Sequence, residues 1–287
     1  MTGGLAASVQ ARLLNRAKER GVDFSLVLSR YAVERFLYRL SVSPDRDRYW
    51  LKGALLFDLW FDVPHRPTRD ADFLGFGPAD AEALASTVRE ICAIAGSDGM
   101  VFDPASIRIE VIREQAGYGG LRVRLTGLLG KSRCSVQLDV GYGDAVTPGP
   151  DEIVYPTLLD DQPAPRLRAY PRATVVAEKL EAMVSLGIAN TRLKDYFDVY
   201  ALALEGALDV KSLADAIAAT FARRGTSLPA DMPIGLSAEF SQDAAKLSQW
   251  RAFLGKNRLD APALEVVVAE LRQFLAEPLR LAREQRR

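Results

Sequence analysis

The stretch Arg66-Pro67-Thr68-Arg69-Asp70-Ala71-Asp72 runs directly into Phe73-Leu74 and sets two carboxylates two residues apart in what reads as a strand. Side chains at i and i+2 of a strand point the same way, roughly 7 Å apart along the chain by strand rise. Asp70 and Asp72 can therefore converge on one or two hard cations that prefer oxygen ligands. Phosphoryl transfer needs such a clamp on a triphosphate. The pair alone is a weak signal, because 37 acidic residues in 287 give roughly five acid-x-acid pairs by chance. Its neighbourhood strengthens it. Upstream, Lys52-Gly53-Ala54 lies between a strand expected over Arg48 to Leu51 and an apolar segment, Leu55 to Phe61, that reads as a short helix. Small residues at that junction let backbone amides approach phosphate, and a helix start adds partial positive charge. His65, beside the motif, reads as incidental.

Downstream, Ala79 to Ala95 reads as a helix, and three strands are expected at Ile107 to Arg113, Leu121 to Leu125 and Cys134 to Val140. Their alternation predicts one buried and one wet face: Ile107, Ile109 and Val111 oppose Arg108 and Glu110, and Leu121, Val123 and Leu125 oppose Arg122 and Arg124. In the third strand Ser135, Gln137 and Asp139 share the polar face. Asp139 thereby becomes a candidate third carboxylate if its strand neighbours that of Asp70 and Asp72.

The composition, 48% hydrophobic and 26% charged, is that of an ordinary globular protein. No apolar run approaches the ~20 residues of a membrane span, and no signal peptide is evident at the N-terminus, so a cytoplasmic address with no membrane partner is expected. Cys92, Cys134 and a single histidine exclude a disulfide framework and a Cys/His zinc site. Lys plus Arg equals Asp plus Glu at 37 each, so a nucleic-acid partner would be held by a local basic patch rather than by net charge.

Prolines crowd the stretch from Pro148 to Pro171, which reads as a linker or a strap over a domain boundary. Two domains are predicted, 1–165 and 166–287. The second is almost wholly helical, with helices over Thr174 to Leu186, Leu193 to Leu204, Val210 to Ala222, Ala238 to Leu254 and Ala261 to Ala282. Lys179 sits among apolar or small neighbours, which suggests a partly desolvated ammonium. Asp195 and Asp198 share a face of the next helix at i, i+3. The short Gly187 to Thr191 connection makes the two helices an antiparallel pair, across which Lys179 and Asp198 could meet. Lys194 and Asp198 could equally form a surface pair. Arg280, Arg283, Arg286 and Arg287 read as a solvated helix end.

Four ordered motifs, Lys52-Gly53, Arg66-x-Thr68-x-Asp70-x-Asp72, Glu178-Lys179-Leu180 and Arg192-x-x-Asp195-x-x-Asp198, resemble those of the AbiEii/AbiGii-type nucleotidyltransferase toxins. That family includes the MenT-type toxins and is similar to the DNA polymerase β nucleotidyltransferase superfamily. One departure is Ala54, where the family commonly has a second glycine. The resemblance implies an α+β fold: a polymerase β-like nucleotidyltransferase domain on a mixed sheet, then a helical domain that closes the active-site cleft. It implies magnesium or manganese held by Asp70, Asp72 and Asp139 on a nucleoside triphosphate. Lys179 would neutralise the triphosphate, and Asp198 would orient that lysine or hold the nucleotide. Lys52, Gly53, Arg66, Thr68 and Asp195 would serve nucleotide binding. The implied acceptor is the 3′ end of tRNA, whose modification would block aminoacylation and growth, and the implied partner is a cognate antitoxin. A nucleotidyltransferase acting on protein or a small molecule, and a non-catalytic nucleotide- or RNA-binding regulator, stay open as alternatives.

Overall fold

Seven strands in the order β3-β4-β5-β2-β1-β7-β6 make one mixed sheet in the computed structural model, which describes residues 2–61, 65–113 and 119–285. They are β1 (Tyr49–Lys52), β2 (Asp70–Gly75), β3 (Met100–Arg113), β4 (Gly119–Leu129), β5 (Ser132–Tyr142), β6 (Asp151–Val154) and β7 (Arg166–Ala169). Four helices accompany them: α1 (Thr2–Glu19), α2 (Phe24–Ser41), α3 (Phe57–Trp60) and α4 (Ala81–Ala93). Asp23 and Asp80 start α2 and α4 by accepting from the Ser25 and Ala83 amides, which satisfies donors that a helix start leaves open. Helices α2 and α4 cover the apolar face of the sheet, with Phe36, Leu40, Leu84, Val88 and Ile91 set against Phe73, Leu138 and Val140. Each such side chain, once fully buried, contributes roughly 1.5 to 3 kcal/mol. Buried Arg39 fastens α2 to the approach to β3 through two bonds to Asp98, at 2.7 and 3.1 Å, and one to the Met100 carbonyl.

The chain divides into two compact units, one of Met1–Gly143 with Asp151–Ala169, the other of Asp144–Pro150 with Tyr170–Arg287. The expected boundary after residue 165 thus differs from the observed division. The proline-rich stretch is also more than a linker: β6 and β7 lie within it, with β7 parallel to β1 and β6 at the sheet edge. Pro156, Pro163 and Pro165 fall between the two strands, where they deprive the ladder of no donor. Val111 departs from its expected burial and is 75% exposed, near the free end of edge strand β3.

The second unit holds α5 (Arg172–Leu186), α6 (Leu193–Glu205), α7 (Val210–Arg224), α8 (Ala238–Gln242), α9 (Ala244–Asn257) and α10 (Leu264–Glu284). Arg172 at the start of α5 pairs with Glu205 at the end of α6, 3.2 Å away, so these helices run antiparallel. The helix expected over Ala238 to Leu254 is two helices. Asp243 takes an extended backbone between them and accepts from the Lys246 amide to start α9. Arg224 of α7 holds the inserted segment through Asp144 and also pairs with Glu178 and Glu181. Arg280 pairs with Glu277 and Glu284, while Arg286 and Arg287 lie outside the described residues. Among the described residues no helix is long and apolar enough to cross a membrane.

Candidate active site

Strand register brings the predicted carboxylates of the first unit together. Asp72 pairs with Lys52 across antiparallel β1 and with Asp139 across parallel β5; Asp139 pairs in turn with Arg122 on β4, and Arg122 with Glu110 on β3. Directly paired residues share a face, so one row of charge, Lys52, Asp72, Asp139, Arg122, Glu110, crosses five strands on the wet face. Asp70 and Gln137 begin the next row. Asp70, Asp72 and Asp139 are all half-buried, because the alternating residues Ala71, Phe73, Leu138 and Val140 sink into the core.

Gly53 is required where it stands. Its φ is +74°, and a Cβ there would sit 2.0 Å from Oδ2 of Asp72, so any side chain would be strained and would also displace the carboxylate. The glycine of the Lys52-Gly53 turn thus lies against Asp72, a closer relation than proximity to phosphate alone. Leu55 to Phe61, expected as one helix, begins as a 3-10 turn, Gly53–Leu56, before α3. Arg66 and Thr68 are half-buried in the loop that enters β2. His65 is less incidental than expected. Its ring stacks on Phe57 at 4.4 Å and Phe61 at 5.1 Å, anchoring the described start of that loop.

Asp139 is gripped by a residue that sequence reasoning placed on the wet face without a partner. Arg122 donates from Nε to Oδ1 at 2.8 Å and from Nη2 to Oδ2 at 2.7 Å. These bonds hold the guanidinium more firmly protonated than usual, with burial working the other way. Among the described residues no group of three or more His, Cys, Asp or Glu gathers to hold a metal ion. Asp70 and Asp72 still fit a magnesium-type ion, which is characteristically held by one or two carboxylates together with substrate phosphate oxygens.

The second unit has its own cluster. Lys179 of α5 donates to Oδ1 of Asp195 at 2.7 Å and to Oδ2 of Asp198 at 2.8 Å, and both aspartates, on α6, have no exposed surface. Arg192 Nε lies 2.7 Å from the other oxygen of Asp195. Lys179 thus meets Asp195 as well as Asp198, since i, i+3 spacing turns both toward α5. Lys194 is exposed, whereas Asp198 has no exposed surface and accepts from Lys179.

A family profile described as "Nucleotidyl transferase AbiEii toxin, Type IV TA system" matches residues 35–277. The chain belongs to the AbiEii toxin family. It is a nucleotidyltransferase of a type IV toxin–antitoxin system, and the family implies a nucleoside triphosphate substrate, a divalent metal and an antitoxin partner. No curated protein sequence matches it. Among solved structures it resembles one assigned as a nucleotidyltransferase from H. pylori, with 17% identity, 92% of this chain and 99% of that chain covered, and a TM-score of 0.50. JHP933 from Helicobacter pylori aligns at 17% identity over 91% of this chain and 94% of its own, with a TM-score of 0.49. At such identity the first likeness concerns the fold, and an AbiEii chain with a mixed sheet and a helical unit fits it.

Proposed function

We propose that this AbiEii protein transfers a nucleoside monophosphate from a nucleoside triphosphate to the 3′ end of tRNA, so that the tRNA can no longer be aminoacylated and growth stops. The observation that carries the reading is the pair Asp70 and Asp72 on one face of β2, with Gly53 pressed against Asp72 and Lys52 opposite it. Magnesium or manganese, when bound, would stabilise the attacking and leaving oxygens of an in-line displacement that expels pyrophosphate. Asp70 and Asp72 would hold that ion against the triphosphate. Lys52 and the backbone at Gly53 receive phosphate oxygens on the β1 flank, with Arg66 and Thr68 shaping the loop beside them. Lys179, held by Asp195 and Asp198 within the helical unit, takes the nucleotide-binding role that the resemblance to the family gives it.

The test incubates purified protein with each radiolabelled triphosphate and either total tRNA or total soluble protein. Label in tRNA that is absent with Asp72→Ala supports the reading; label only in protein sinks it. Expression of the wild type alone should slow bacterial growth, and Asp72→Ala should relieve that. Equal inhibition by both would point to a non-catalytic action.

A further inference from the structure

Asp139 and Arg122 face each other across β5 and β4, and their contact decides what each is for. The carboxylate is gripped at both oxygens in the two-bond fork that guanidinium and carboxylate planes favour. A guanidinium has five N–H donors; the fork uses two, and among the described residues the remainder make no hydrogen bond. The Arg122 side chain is 28% exposed. It is an oriented cation with donors to spare, beside the candidate metal carboxylates.

Its flank of the site is the attacking one. In-line displacement places attacking and leaving oxygens on opposite sides of phosphorus, and the function proposed above, on which this inference rests, gives the β1 flank to the departing pyrophosphate. The β5–β4 flank is left for the acceptor, and its chemistry suits a polyanion. Arg124 and Arg133 share the wet face with Arg122. Arg108 stands directly opposite Arg124, whose guanidinium also pairs with Glu110 at 3.1 Å. Next to Asp70 the surface sinks into a recess of about 370 Å³ lined by Ser25, Ser29, Arg69, Arg133 and Gln137. Arg133 has no hydrogen-bonding or ion-pair partner among the described residues.

We infer that Arg122 binds a backbone phosphate of the RNA acceptor, and that Asp139 is the positioning residue that aims it rather than a ligand of the metal. The experiment measures binding of end-labelled total tRNA by fluorescence anisotropy in EDTA over a salt series. The metal midpoint and the KM values for triphosphate and tRNA are measured beside it. Arg122→Gln should weaken metal-free binding about tenfold, raise the tRNA KM, and reduce the slope of log affinity against log salt by about one phosphate contact. Asp139→Asn should raise the tRNA KM in parallel, with the metal midpoint and triphosphate KM unchanged. Arg122→Lys, which keeps the charge and loses the fork, should fall between wild type and Arg122→Gln. The double variant Arg122→Gln/Asp139→Asn strands neither charge, so a folded protein is available should a single variant unfold.

A raised metal midpoint in Asp139→Asn with metal-free tRNA binding intact overturns the inference and makes Asp139 a metal ligand. An unchanged salt slope and tRNA KM in Arg122→Gln, or in the double variant, also overturns it. A wild-type protein that labels no RNA is a different failure: it removes the proposed acceptor itself, and the inference with it.

Discussion

Asp70 and Asp72 stand two residues apart on a strand and are half-exposed, whereas Asp195 and Asp198 stand three apart on a helix with no exposed surface. Each spacing puts both carboxylates on one face of its element. The environments then diverge. The strand pair lies on the wet side of a sheet, where a carboxylate can take up a cation brought with a substrate. The helix pair is sealed around Lys179, and its charges are compensated by protein alone. Water can solvate what is left when a charge is removed from the first setting; removing one from the second strands its partner in a medium that solvates it poorly.

The sharpest way to break this contrast is Asp70→Ala or Asp72→Ala, which should abolish transfer in a labelled-triphosphate assay while the melting temperature holds or rises slightly. A marked loss of stability would place these residues with the sealed kind. Lys179→Met should do both kinds of damage, cutting single-turnover transfer by orders of magnitude and lowering stability by about 3 to 5 kcal/mol in urea titration. Adding Asp195→Asn and Asp198→Asn to it should recover much of the stability and none of the activity. Near-normal transfer per folded molecule in Lys179→Met would make the cluster purely structural.

Gly53→Ala should cost roughly 1 to 2 kcal/mol for an alanine at positive φ and at least tenfold in transfer through displacement of Asp72. An effect confined to one pH window, and not on transfer, concerns buried Glu34, whose carboxyl is pushed up to about 7 by burial, against the opposing pull of Arg35. The folded state then binds this proton more tightly than the unfolded chain does. Its stabilising effect is complete below the ordinary value of 4.5 and is lost as pH rises through about 7. Glu34→Gln should flatten the fall in stability over that window, by up to about 3 kcal/mol. Parallel pH profiles for the two proteins would refute it.

What the sequence revealed follows the reach of each signal. Period-two alternation placed Asp139, Arg122 and Arg124 on the wet face, because a core on the other side forces it. The Arg122–Asp139 fork stayed hidden, since it depends on the register between β4 and β5, which alternation does not fix. Helical spacing turned Asp195 and Asp198 to one face and brought Lys179 toward Asp198, while its equal reach to Asp195 depends on how α5 sits against α6. Strands β6 and β7 were masked by the prolines between them. The break at Asp243 is hidden because apolar periodicity continues through it, while the capping rests on one residue, whose backbone N–H donates to the Phe240 carbonyl to end α8 and whose side chain starts α9.

The segment 144–150 belongs to the second unit, although the chain returns to the first at Asp151 before leaving it again after Ala169. During synthesis it leaves the ribosome long before its anchor: Asp144 precedes Arg224 by 80 residues. At about 5 to 20 residues per second, that separation is a wait of about 4 to 16 s. The nascent first unit can pair its strands meanwhile, but the second is tied together only after α7 has emerged. A single cut after Ala169 keeps every residue of the first unit but takes 144–150 from the second, and a ribosome stalled between those two residues holds a chain whose helical half is still without its clasp.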